Sequence, residues 1–285
     1  MGLRRIAATL VLGPCLVGPV AAACHVALTP ADIDRVLAIS IGSEFGDRRD
    51  FITKWTDEVR IEILGTPTQA DRRATEAVVA ELGQLIAPAE ISIVTENANV
   101  RLHFAPIEEF PRILPSYRPI NYGYFSMVYN GVREIYDADV LISTTGLTRA
   151  ETNHLIREKV TQVLGMGNDL MDASDSIFYG RWTDVEDYSL SDTKVVRAVY
   201  CPDVVTGMTT AEIRGVLERE APVLGVEQIR ALQRNLLARG HDIGAADGVA
   251  GRRTREAITS EQERLGLFAD GEPSLGLLRA LKVKS

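Results

Sequence analysis

Residues 125–164 read FSMVYNGVREIYDADVLISTTGLTRAETNHLIREKVTQVL and contain the patterns of both strands and a helix. Asn130-Gly131 separates two runs rich in apolar residues, 125–129 and 132–136. This dipeptide between two such runs is typical of a β-hairpin, because both residues tolerate the positive φ angles of a tight turn. The stretch therefore predicts two antiparallel strands joined at residues 130 and 131.

The same stretch continues with a strand and then a helix. Residues 140–144 predict a further strand, and Thr148-Arg-Ala-Glu151 has the form of a capping box that opens a helix reaching about residue 164. Upstream, the alternation of residues 58–63 predicts another strand, and residues 68–87 predict a long amphipathic helix. Strands followed by helices predict an α+β domain with a twisted sheet.

The composition describes a folded chain with a negative charge. The 285 residues are 46% hydrophobic and carry a formal net charge of -8. This composition excludes a disordered or collagen-like protein. The negative charge would repel a phosphate backbone, so nucleic acid is not an expected partner.

The N-terminus resembles an export signal. Two basic residues, Arg4 and Arg5, precede an uncharged apolar stretch that ends in Ala21-Ala22-Ala23. This order is typical of a secretory signal peptide, so we expect residues 1–23 to be removed before Cys24 and the chain to be exported to the periplasm or cell envelope. A retained signal anchor is the alternative, and the glycines and prolines within the stretch weaken it. No other segment has membrane length, so no transmembrane segment is expected in the mature chain.

Cysteine use leaves two interpretations open. After removal of the signal peptide the chain keeps Cys24 and Cys201. These two residues are candidates for a disulfide in an oxidising compartment. Alternatively Cys24 carries a lipid, although lipoprotein signals prefer leucine where this chain has Ala21.

Residues 225–285 contain only helical periodicity and a set of turn signals. The apolar positions 229, 232, 236 and 237 share one face of a helix that ends at Gly240. The segment closely resembles the three-helix peptidoglycan-binding domain of bacterial wall enzymes. The residues that carry this resemblance, and that it marks as the peptidoglycan-binding motif, are Asp247, Gly248, Gly251, Arg252, Arg253, Thr254 and Gln262.

The resemblance implies a small all-α bundle that binds peptidoglycan. Family members usually have aromatic residues where this chain has Ala250 and Glu261, which leaves a protein-interaction module without glycan binding as an alternative. Arg252, Arg253 and Arg255 are candidates to meet acidic groups of the wall polymer, or they form a solvated basic face.

The helix opened by Thr148 has the spacing of a zinc-protease helix but not its chemistry. Glu158 and Gln162 stand at the i and i+4 positions of the two histidine ligands, and Asn168 stands at the third ligand position. Lys159 occupies the position of the catalytic glutamate, and an ammonium group cannot act as that base. The sequence therefore predicts no catalytic residue, no metal site and no cofactor here. His154, one turn before Glu158, is interpreted as a surface histidine.

Residues 31–217 resemble the bacterial envelope family known as domain of unknown function 2927, which looks like a zincin relative that has lost its histidines. The motifs that carry the resemblance are Lys54-Trp55, Ser176-Ile-Phe178, Leu190-Ser-Asp192, Val199-Tyr200, Pro202 and Gly207-Met-Thr209. The remnant zincin positions in this chain are Glu158, Lys159, Gln162, Gly165, Asn168 and Asp169.

Together these patterns predict a signal peptide (1–23), an α+β zincin-like domain (24–222) and a peptidoglycan-binding-like domain (225–285). The expected function is an envelope protein that associates with peptidoglycan through its C-terminal domain and carries a non-catalytic binding or scaffold domain, whose partner is an unidentified envelope protein. The alternatives are a wall peptidase or hydrolase with an unconventional active site around Glu158, and a protein-interaction module.

Overall fold

The structure is a computed structural model that describes residues 24–42, 50–118 and 121–282. The predicted signal peptide, residues 1–23, lies outside the described residues. Within the described part of the chain, no helix is both long and apolar enough to cross a bilayer.

A five-stranded sheet forms the centre of the first domain. The strands are β1 (Val59–Gly65), β2 (Ile91–Val94), β3 (Val100–Ala105), β4 (Gly123–Tyr129) and β5 (Ile135–Ser143). Their spatial order is β2-β1-β3-β5-β4, with β1, β2, β3 and β5 parallel and β4 antiparallel at one edge. The predicted α+β class is confirmed.

Helices pack on this sheet and build the C-terminal module. Those of the first domain are α1 (Pro30–Ser40), α2 (Gln69–Leu85), α3 (Phe110–Ile113), α4 (Arg149–Gln162), α5 (Leu190–Val199) and α6 (Thr210–Glu220); a 3-10 turn at Ile107–Glu109 precedes α3. Those of the module are α7 (Val226–Ala238), α8 (Arg252–Arg264) and α9 (Leu275–Lys282). The two helix starts predicted in the first domain are accurate, because α2 and α4 begin directly after the caps Thr68 and Thr148. The helices α1, α5 and α6 likewise begin with a Ser or Thr cap and a reciprocal carboxylate three residues later.

The predicted hairpin is present, but its turn is wider than two residues. The Asn130 side-chain oxygen accepts hydrogen bonds from the N–H groups of Val132 (3.0 Å) and Glu134 (3.1 Å). These N–H groups are therefore not available to a strand ladder at 132–134. Residues 135–136 and 140–143 are strand, as predicted, but they belong to the single strand β5 rather than to two strands, and residues 132–134 and 144 lie outside it.

The module has a small apolar core of its own. Leu232 and Leu236 of α7 are fully buried against Ile258 of α8 and Leu277 of α9. The expectation that Leu237 belongs to the same buried face is wrong, because its side chain is exposed.

The module packs directly against the first domain. Arg197 of α5 donates from its guanidinium group to the Asp270 carboxylate and to the His25 carbonyl, and both charged side chains are buried (6% and 10% exposed). Arg279 of α9 pairs with Glu220 of α6 at 2.5 Å. Cys24 and Cys201 are joined in a disulfide with a Cα–Cα distance of 5.0 Å, which holds the start of the described chain beside these contacts.

His25 makes the stability of this interface sensitive to acid. Burial, and then the neighbouring Arg197 charge, lower the pKa of His25 from 6.5 to about 4. Between these pH values the unfolded chain binds a proton that the folded chain does not, so the free energy of unfolding should fall as the pH drops from 6.5 to 4, by at most about 3.4 kcal/mol. Urea denaturation across this range checks the prediction: His25→Gln should flatten the dependence, and an unchanged slope would contradict it.

Candidate functional site

Glu151, in the first turn of helix α4, accepts two hydrogen bonds, one from the backbone of the helix cap and one from an aromatic side chain. One carboxylate oxygen of Glu151 accepts the Thr148 N–H at 2.7 Å, which completes the capping box. The other accepts the indole N–H of Trp182 at 2.7 Å. The residue that begins the helix therefore also orients an aromatic ring from a loop 31 positions later in the chain.

A cleft of about 280 Å³ lies beside α4 and the start of β4. Its mouth and walls are formed by aromatic and polar residues, and its floor by ionisable side chains of α4. The lining residues are Asn121, Tyr122, Gly123, Glu151, His154, Leu155, Glu158, Lys159, Asp169, Tyr179, Gly180, Arg181, Trp182 and Thr183.

The floor of the cleft is a network of paired, buried charges. The Glu158 carboxylate lies 3.1 Å from Lys159 Nζ and 3.6 Å from His154 Nε2. The other ring nitrogen of His154, Nδ1, lies 2.7 Å from the Val185 carbonyl oxygen, so it carries the proton that this contact requires. The interpretation of His154 as a surface histidine is wrong: the loop that carries Val185 covers the ring, which is buried.

Gln162 extends the network to Asp169. Its side-chain oxygen accepts from Lys159 Nζ at 3.0 Å, and its amide nitrogen donates to Asp169 at 2.9 Å. Burial, and then the negative charge of Glu158, raise the pKa of Asp169 above its usual range. Because Gln162 provides both a donor and an acceptor, it joins a cation and an acid in one chain of hydrogen bonds.

The other two remnant zincin positions have structural roles away from the cleft. Gly165 has a φ of 101°, and a Cβ atom there would meet the Thr53 carbonyl oxygen. The Asn168 amide donates to the carbonyl oxygens of Ala38 (3.1 Å) and Ile41 at the end of α1. Of the six remnant residues, Glu158, Lys159, Gln162 and Asp169 are thus joined in one network, and Gly165 and Asn168 are not part of it.

The residues on the floor do not fit zinc. The helix offers carboxylate and amide groups where imidazole ligands would be needed, and the Lys159 ammonium group lies against the Glu158 carboxylate. No group of three or more His, Cys, Asp or Glu side chains suited to a metal ion occurs in residues 24–42, 50–118 and 121–282.

Sequence reasoning missed the mouth of the cleft. Trp182, Arg181 and Tyr179 belong to an irregular segment between α4 and α5, and Tyr122 precedes β4. The one available signal was a tryptophan within a polar, non-periodic segment, where no apolar face of a helix or strand accounts for it. The pairing of this segment with α4 is a long-range contact that no local pattern encodes.

In the C-terminal module, buried glutamines organise the motif residues. The Gln233 side chain of α7 accepts the Gly248 N–H (2.8 Å) and donates to Asp247 (2.9 Å) and Thr254 (3.4 Å).

Gln262 of α8 forms a similar arrangement: its side chain donates to Asp270 (2.6 Å) and accepts the Gly271 N–H (2.9 Å). We call these two arrangements the glutamine clamps; sequence reasoning named Gln262 but missed Gln233.

The polar residue at position 261 is accommodated within the module. The buried Glu261 carboxylate lies 2.8 Å from His241 Nε2 and 2.5 Å from Arg264. Both neighbours lower the pKa of Glu261 against the opposing effect of burial, so the group is charged and paired. The ion pairs explain how a carboxylate is tolerated where related domains usually have an aromatic ring.

An open groove of about 310 Å³ lies over the first glutamine clamp. Arg252 and Arg253 line it, with side chains 81% and 58% exposed. Asp247, Gly251 and Thr254 also contribute, whereas Gln262 belongs to the second clamp. Of the predicted motif residues lining the groove, the two arginines provide the positive charge that faces solvent, and the exposed Asp247 carboxylate, which accepts from Gln233, provides a negative one.

Two family models match successive parts of the chain. The chain belongs to the family described as protein of unknown function (DUF2927), whose model matches residues 33–219. Residues 225–281 match the family described as putative peptidoglycan binding domain. Both expected resemblances are confirmed; the zincin-like layout of the first domain stays a prediction.

One solved structure with local similarity is titled crystal structure of SltB3 from Pseudomonas aeruginosa in complex with NAG-anhNAM-pentapeptide. The two chains are 33% identical over 33% of this chain and 24% of that chain, with a TM-score of 0.20. The match thus spans about a quarter of the length of SltB3. No curated protein matches the chain.

Proposed function

We propose that this is an exported cell-envelope protein that associates with peptidoglycan through its C-terminal module and carries a non-catalytic, zincin-like binding domain. The observation that carries the proposal is the groove over the first glutamine clamp, in a module whose family is described as putatively peptidoglycan-binding. An envelope location is consistent with the predicted signal peptide.

The two arginines of the groove suit an acidic polymer, while the Asp247 carboxylate is engaged by Gln233 and the Val249 N–H. Arg252 contacts Glu256 at 2.7 Å in an exposed i,i+4 pair, and Arg253 lies 3.9 Å from the exposed Asp242. Such exposed pairs contribute at most about 1 kcal/mol, so a ligand carboxylate can displace them at little cost. Guanidinium groups bind carboxylates through paired hydrogen bonds.

The arrangement around Glu158 supports binding rather than hydrolysis by the first domain. A catalytic carboxylate needs access to water or substrate, and here the Lys159 ammonium group and the His154 ring flank the Glu158 carboxylate. The cleft above it remains open, which supports a ligand-binding role for the domain. The candidate partners of this domain are peptidoglycan and an envelope protein.

Co-sedimentation with insoluble peptidoglycan sacculi tests the association. We expect the full chain to pellet, and Arg252→Ala/Arg253→Ala to reduce the pelleted fraction severalfold, because two charge-assisted contacts of about 1.5 kcal/mol or more are removed. Increasing salt should weaken pelleting of the wild type. Arg72→Ala/Arg73→Ala on exposed positions of α2 is the matched control, since it removes the same charge from the first domain.

If the wild type stays in solution, the association proposed here is wrong, and the module is better studied as a protein-interaction domain. If the α2 control loses as much binding as the groove variant, general charge rather than the groove is responsible.

A further inference from the structure

Trp182 is an exposed aromatic residue at the mouth of the cleft. The chain has two tryptophans. Trp55 is buried and donates its indole N–H to the Val163 carbonyl oxygen at 2.8 Å, as a core residue does. Trp182 is 59% exposed, so its large apolar surface stays in contact with water. Burial in the core therefore does not account for its position.

The Trp182 ring is held in place before any ligand binds. Its N–H is fixed by Glu151, and the ring of Tyr122 meets it edge-on with the centroids 5.9 Å apart. A ring with a fixed orientation loses little conformational entropy when a ligand packs on it. The indole is thus a preorganised flat surface.

The groups around the ring are polar, and one of them is an unpaired cation. Asn121 and Thr183 also line the cleft. Arg181 is exposed and has no acidic partner among the residues that the structure describes. By contrast, the Lys159 ammonium group on the floor already contacts Glu158 and Gln162. A ligand thus meets a flat apolar face, several hydrogen-bonding groups and one available positive charge.

We propose that the cleft binds a segment of peptidoglycan glycan strand from which the stem peptides have been removed, with one sugar ring packed on Trp182 and the free carboxylate of a muramic acid residue paired with Arg181. A pyranose ring has an apolar C–H face that packs on an aromatic ring and a rim of hydroxyl groups that form hydrogen bonds, which matches the mouth of this cleft. This proposal rests on the proposed association with peptidoglycan and adds a second contact site in the first domain.

Fluorescence quenching by acrylamide tests the site in the full chain. Trp182 is accessible to the quencher and Trp55 is not, and neither lies in the C-terminal module. Peptide-free glycan fragments released from sacculi should remove most of the quenching, because a bound sugar covers the exposed indole. In Trp182→Phe the remaining emission comes from buried Trp55 and should not respond to the fragments.

Two further comparisons specify the ligand. Arg181→Ala should weaken binding of fragments that carry the muramic-acid carboxylate and leave unchanged the weaker binding of an uncharged N-acetylglucosamine tetramer, which lacks the carboxylate. Free stem pentapeptide should not protect Trp182. Protection by the pentapeptide and not by the glycan, or no protection by either, would overturn the proposal.

The two proposals fail separately. Arg252→Ala/Arg253→Ala should reduce sedimentation with sacculi severalfold but keep glycan protection of Trp182. If sedimentation depends on the groove while the fragments leave quenching unchanged, the cleft proposal is wrong and the module proposal stands. If the fragments protect Trp182 but sedimentation does not depend on the groove, the module proposal is wrong and the cleft proposal stands.

Discussion

Replacing Asp270 with alanine should lower the free energy of unfolding by about 3–5 kcal/mol, because it leaves a buried charge without its partner. Arg197 would keep its place between the domains with only the His25 carbonyl as an acceptor. The same change removes an acceptor of Gln262, so the second glutamine clamp is disrupted as well. Urea denaturation followed by circular dichroism measures the effect.

The control for this experiment is Asp34→Ala. Asp34 also pairs with an arginine, Arg214, but both side chains are substantially exposed (66% and 37%). Loss of an exposed pair should change stability by about 1 kcal/mol or less. Similar effects of the two substitutions would show that the buried pair does not join the domains as the structure indicates.

Glu158→Gln should also be strongly destabilising, by about 3–5 kcal/mol, although it preserves the size of the side chain. The neutral amide no longer balances the buried Lys159 ammonium group, which is held 3.1 Å away. The exposed Glu256→Gln, which removes the i,i+4 partner of Arg252, is the matched control and should have little effect.

Adding Lys159→Met to Glu158→Gln gives a sharper test. Because the double variant contains neither charge, it should be more stable than Glu158→Gln alone. A double variant as unstable as the sum of the two single ones would argue against a direct ion pair. Hydrolysis of wall peptides by the wild type that Glu158→Gln abolishes would contradict the non-catalytic role proposed for the domain.

Local signals in the sequence predicted the elements of the fold well. Capping boxes such as Thr148 with Glu151 fix helix starts within four residues, and strand alternation acts over a similar distance. The turn at Asn130 is the informative failure, since its side chain captures N–H groups that the pattern assigned to a strand. The choice between a side-chain and a cross-strand acceptor depends on tertiary geometry.

The candidate site was predicted only in part, because most of it is assembled by long-range contacts. Helix spacing placed Glu158 and Gln162 on one face, and the structure joins them through Lys159. Trp182 depends on Glu151, 31 residues earlier in the chain. The domain interface is assembled in the same way, since Arg197 pairs with Asp270 at a separation of 73 residues. No periodicity relates such positions.

Because the module is docked on the first domain, the two proposed wall-binding sites, the cleft and the groove, lie at a fixed distance from each other. Arg197 and Arg279 hold the module against the first domain, and only residues 221–225 separate α6 from α7. Two sites on a flexible linker adjust their separation to any ligand, whereas docked sites present one spacing. The protein would then respond to the arrangement of neighbouring glycan strands and not only to their amount. Binding would be tightest where the spacing between glycan strands matches the fixed distance between the cleft and the groove.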